Sequence, residues 1–112
     1  MSLTNEGEVL GSLAYMDPEY LKTGDDALDP QCDLYGLGVV LYEGLSKTYP
    51  YGSPGCEDMV VRVLKEDPVP LAQVAKAVPK RVAQVIDKAC AKDRVDRFAT
   101  AGDLATALEA LT

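Results

Sequence analysis

The sequence predicts an all-α fold, and three observations carry that prediction. Four separate segments show apolar residues at helical spacing. Residues that start helices stand in front of them, and no run alternates apolar and polar residues for long enough to make a strand. The strongest segment is Asp29 to Ser46, DPQCDLYGLGVVLYEGLS. Asp29 can accept from the free amides of a first turn, and Pro30 gives up an amide that a helix start leaves unpaired anyway. Leu34, Leu37, Leu41 and Leu45 then recur at helical spacing, while Tyr35, Val39, Val40 and Tyr42 fill the other faces. A helix apolar on nearly every side is expected to be a buried central pillar.

The remaining elements follow in order. Residues 4–17, punctuated by Gly7 and Gly11, have no periodicity and read as an irregular lead-in. Pro18 to Leu21 can make one helical turn capped by Asp17, and the polar stretch Lys22 to Leu28 is a loop. The pillar should stop near Leu45, because Lys47 to Gly55 holds two prolines and two glycines. A second helix is expected from about Glu57 to Lys65, with Met59, Val60, Val63 and Leu64 on one side, stopped by Pro68 and Pro70. Leu71 to Ala77 is a weak turn. A third helix opens at Pro79 and runs to about Ala91, with Val82, Val85, Ile86 and Ala89 inward and Lys80, Arg81, Gln84, Asp87 and Lys88 outward. A loop to Phe98 leads to a fourth helix capped by Thr100, with Asp103 three positions on and Leu104, Ala107, Leu108 and Leu111 inward.

Composition narrows the function. The 112 residues make one domain or a piece of one, and 47% hydrophobic with 26% charged residues is ordinary for a globular chain. A formal charge of −7 disfavours phosphate backbones and anionic lipid, so neither nucleic acid nor a membrane is expected as a partner. There is no histidine to act as general base, triad member or zinc ligand. Cys32, Cys56 and Cys90 are widely spaced and form no CxxC pair, which indicates reduced thiols and a cytoplasmic setting. The opening MSLTNEGE lacks the basic start and apolar core of a signal peptide. The pillar is too short and too marked by glycine and acid to span a bilayer.

Three ionisable residues sit in apolar or turn-forming surroundings. Asp33 lies in the pillar's first turn, where a carboxylate meets the positive end of the helix dipole. Glu19 follows a proline at a short helix start, and Arg97 precedes the isolated Phe98. Taken singly, these read as two capping acids and a solvated arginine.

Their surroundings read differently as a set. Gly11 to Glu19, GSLAYMDPE, resembles the G-T-x-x-Y-M-A-P-E end of a protein-kinase activation segment. Asp33 to Glu43, DLYGLGVVLYE, resembles the D-x-Y-S-L-G-V-x-L-Y-E signature on the central helix of that family's large lobe. Tyr49-Pro50-Tyr51 resembles the x-P-F step that follows, and Lys92 to Phe98, KDRVDRF, the K-D-P-x-x-R-F loop between the last helices. The closing ATAGDLATALEAL resembles the last helix of bacterial Ser/Thr kinases. Order and spacing agree throughout.

The resemblance implies an incomplete kinase fold: residues 1–10 as an irregular lead-in, of which Met1 to Leu3 have the look of an expression remnant, and residues 11–112 as part of a large lobe. That part would comprise the end of the activation segment and the last four helices. It implies that Asp33 holds the backbone of a catalytic loop, and that Glu19 and Arg97 form a largely buried ion pair beside Tyr35. Ser12 would stand where the family has threonine, and Leu13, Ala14 and Tyr15 would line the pocket for the residue after the phosphorylated one. Four residues depart from the pattern. Asp17 stands for alanine, Gly44 for a large apolar residue, Lys47 for glycine and Arg94 for proline.

The glycine-rich loop, strand lysine, H-R-D and D-F-G that kinase chemistry needs are not in the sequence. No catalytic residue, metal ligand or cofactor is therefore expected in this chain, and ATP and magnesium are expected only for an intact parent. The expected partners are the rest of the kinase domain, a protein substrate, and a second copy meeting Leu34, Leu37, Val40 or Leu41 on the pillar. Two other readings stay open: a degenerate kinase-like binding module, and an unrelated helical bundle.

Overall fold

The computed structural model describes residues 14–24, 29–52 and 59–111. Among them the regular elements are all helical: α1 Pro18–Thr23, α2 Pro30–Ser46, α3 Met59–Lys65, α4 Leu71–Val74, α5 Lys80–Ala89, a 3-10 turn Arg94–Asp96, and α6 Ala101–Glu109. The expected start of the second helix at Glu57 lies outside the described residues, as do Cys56, Ser12 and Leu13.

The start signals work as the residues dictate. Asp17 accepts from the Glu19 amide at 2.8 Å, Asp29 from Gln31 at 2.9 Å, and Thr100 from Asp103 at 3.1 Å. Each satisfies an amide that the first turn of a helix leaves without a partner. The pillar α2 ends at Lys47, which takes the left-handed conformation (φ 63°) and donates its amide to the Glu43 carbonyl at 2.7 Å. That conformation closes helices and favours glycine, so Lys47 carries the strain the family's glycine would avoid. Helix α4 follows Pro70, which offers no side chain as a cap. Asp87 of α5 supplies it, accepting from the Leu71 amide at 2.9 Å. The expectation that Asp87 points outward is corrected: periodicity along α5 does not register a backbone donor arriving from another helix. Burial pushes the Asp87 carboxyl up, against the lowering effect of that amide.

The core forms three clusters, two of which lie against α2. Tyr35, Val39 and Tyr42 pack with Leu71, Ala83, Ile86 and Cys90. Leu34 packs with Ala89 and Leu104, which seats α6 with help from Phe98 and Leu108. Ala14, Tyr51, Met59 and Val63 form the third, tying the entry of α1 to α3. Helices α2 and α5 come close together at Gly38, where a Cβ would stand 3.0 Å from the Ala89 backbone. Gly44, one helical face away, meets nothing within 4 Å.

Burial of α2 on every side is not what the chain achieves. Leu37, Val40 and Leu45 remain 45%, 52% and 47% exposed. Leu34, expected at a contact between copies, is instead buried inside the chain, because α6 brings Leu104 over it. Leu41 is partly buried against the first cluster. The open stripe therefore runs along Leu37, Val40 and Leu45.

Candidate functional site

The site is assembled where the entry to α1, the start of α2 and the loop between α5 and α6 meet. Its centre is Arg97, whose side chain is wholly buried. Nη1 and Nη2 donate to the two oxygens of Asp17 at 2.8 and 2.7 Å, a two-point fork that fixes orientation as well as charge. Nε donates to the Ala91 carbonyl at 2.6 Å, and Nη2 also to the Lys92 carbonyl at 3.0 Å. The guanidinium carbon lies 4.9 Å from the centre of the Tyr35 ring, so Tyr35 packs beside the Asp17–Arg97 pair.

The carboxylate in the fork is Asp17, not Glu19, and this corrects the expected pair. The reason is local. Asp17 precedes α1 and points inward as its cap, with no exposed side-chain surface. Glu19 lies inside the first turn, half-buried, and meets the fork only through its backbone amide.

Burial alone would raise the Asp17 carboxyl; its bonds to Arg97, the Glu19 amide and Arg94 outweigh that and hold it below the usual range.

A second arginine completes the cluster. Arg94 donates to Asp17 Oδ2 from Nε at 3.2 Å and Nη2 at 3.0 Å, and to Asp29 Oδ2 from Nη1 at 2.6 Å. Two aspartates thus meet two arginines. Sequence reasoning treated Asp17 and Arg94 as unrelated departures. The available signal was that the two departures carry opposite charge, although nothing along the chain joins residues 77 positions apart.

The other expected residues fall around this cluster. Asp33 is exposed in the first turn of α2. Ala14 is buried against Met59 and Val63. Tyr15 stacks edge-on against Tyr49, with ring centres 5.6 Å apart. Its hydroxyl lies 3.3 Å from that of Tyr49 and 3.5 Å from Glu43. The bond with Tyr49, followed by burial and nearby Glu43, pushes the Tyr15 hydroxyl up to about 12. Among the described residues no group of three or more His, Cys, Asp or Glu side chains converges to hold a metal. No helix there is long and apolar enough to cross a membrane.

An all-helical unit built on one central helix, with a buried aspartate and arginine tying its entry to its last loop, is consistent with the helical region of a protein-kinase large lobe. Comparison with known proteins gives the particular relatives. The chain is 31% identical over 110 residues to the serine/threonine-protein kinase PknL of Mycobacterium tuberculosis, covering 98% of this chain and 27% of that protein. It is 31% identical over 103 residues to PknB of Mycobacterium leprae and over 108 residues to a probable serine/threonine-protein kinase of Clostridium perfringens. Those matches cover 92% and 96% of this chain and 16% of each relative. The chain is thus homologous, over nearly all its length, to one segment of the bacterial Ser/Thr protein kinases. It spans about a quarter or less of the relatives it matches. No family model matches the chain.

Proposed function

We propose that this chain is the substrate-side helical portion of a Ser/Thr protein kinase, working in the cytoplasm. In this reading Ser12, Leu13, Ala14 and Tyr15 shape the pocket beside the phosphorylated residue, and Asp33 accepts hydrogen bonds from a catalytic loop. The observation that carries it is the likeness to several bacterial Ser/Thr kinases across almost the whole chain. ATP and magnesium are expected only for a longer parent, because the glycine-rich loop, strand lysine, H-R-D and D-F-G are not in this sequence. Both would be held elsewhere in a longer parent, so the chain contributes scaffold and substrate contact and no catalytic residue.

The test is phosphoryl transfer from labelled ATP with magnesium to a generic Ser/Thr protein. The full-length gene product is expected to label it, and residues 1–112 alone are not. Transfer by the short chain would overturn the division of labour. A silent full-length protein would leave the second reading, a degenerate kinase-like binding module. That reading is favoured by Gly44, which leaves open space where the family sets a large apolar side chain. Asp17 and Arg94 no longer support it, since each compensates the other.

The exposed stripe on α2 extends the proposal to self-association of the chain alone, because monomers rarely leave sizeable apolar patches open. Sedimentation velocity is expected to show a dimer that Val40→Glu weakens at unchanged helicity. A monomer at every concentration tested would end that idea.

A further inference from the structure

We infer that Arg94 is a positioning residue that straps the starts of α1 and α2 together, so that the two helix caps respond as one unit. Both caps are built alike. Asp17 and Asp29 each spend Oδ1 on the amide two residues ahead, Glu19 and Gln31 respectively. Each then offers Oδ2 to Arg94, which lies between them. One planar guanidinium holding two carboxylates fixes their separation in a way a lysine's single point of charge cannot.

The strap is also placed to be adjustable. Asp17 is wholly buried and already held by Arg97, whereas Arg94 is 22% and Asp29 42% exposed. The outer half of the cluster therefore meets solvent while the inner half does not. Arg94 Nη2 also lies 3.1 Å from Cys32 Sγ, in the first turn of α2, so its contacts bear on that turn as well as on the cap. Ala14 to Met16 run directly into Asp17. None of this depends on whether the chain serves phosphoryl transfer.

Amide hydrogen exchange of the whole chain tests the strap, read at Glu19 and Gln31. Asp29→Ser keeps a good cap for α2 and removes only the outer carboxylate from Arg94. The expected result is faster exchange at Glu19, by roughly three- to tenfold, with little change at Gln31. Arg94→Ala should quicken both, and Arg94→Lys should fail to restore the coupling. The double variant should exceed Arg94→Ala by no more than the cap exchange itself, since coupled residues are not additive. All these variants keep Asp17 with Arg97, so the core stays in place. If Asp29→Ser leaves Glu19 unchanged, or if the two substitutions simply add, Arg94 is not a strap.

Discussion

Replacing Asp17 by alanine is expected to cost about 3–5 kcal/mol of stability, because it leaves the buried Arg97 guanidinium with carbonyl partners and no counter-charge. Glu19→Gln should change stability by no more than about 0.5 kcal/mol, since its side chain is outside the fork. Urea unfolding of the two variants beside the parent chain separates them. A Glu19→Gln loss as large as that of Asp17→Ala would restore the expected pair and refute the one described.

Acid adds a second reading of the same residue. The folded Asp17 carboxyl is held below its unfolded value of about 3.9, so its stabilisation is complete above that pH. It is lost as pH falls through the folded value. Asp87 acts in the opposite sense, because burial raises its carboxyl and protonation there favours the folded state. The parent's curve sums both, but the gap between the parent and Asp17→Asn isolates Asp17. That gap should be constant at neutral pH and close in acid.

Leu104→Ala is expected to cost about 2–5 kcal/mol, the range for emptying a well-packed aliphatic site. Leu104 is the one fully buried residue of α6, and it meets Leu34 of α2 and Ala89 of α5. The loss should be concentrated in α6, whose amides should exchange faster than those of α2, and whose peptide bonds should be cut first by a protease. A surface-like change below about 0.5 kcal/mol would mean that Phe98 and Leu108 alone seat the helix.

Local chemistry made most of the fold legible. Asp-Pro before α2 and Thr100 before α6 act on amides two or three residues away, so a short window contains the whole interaction. The periodicity of α5 and α6 likewise reports which face is apolar. It does not report how many partners arrive to cover a face, which is why α2 was expected to be buried all round and instead keeps Leu37, Val40 and Leu45 open. Asp87 shows the same limit from the polar side: its periodicity said outward, while a free amide at Leu71 drew it in.

The site divides along the same line. The motif pointed to Arg97 as a buried cation, and the sequence by itself determined the longer helices and the Asp17, Asp29 and Thr100 caps, but not the helix Leu71–Val74 or its Asp87 cap. Which carboxylate meets Arg97 was decided only by the tertiary structure. Glu19 lies two positions after Asp17, less than one helical turn, so either could face the loop. The choice rests on the direction in which Asp17 caps α1 and on Arg94 arriving from 77 residues away to share it. Charge pairing over such separations is settled by which backbone segments the core brings together, and no local pattern encodes it.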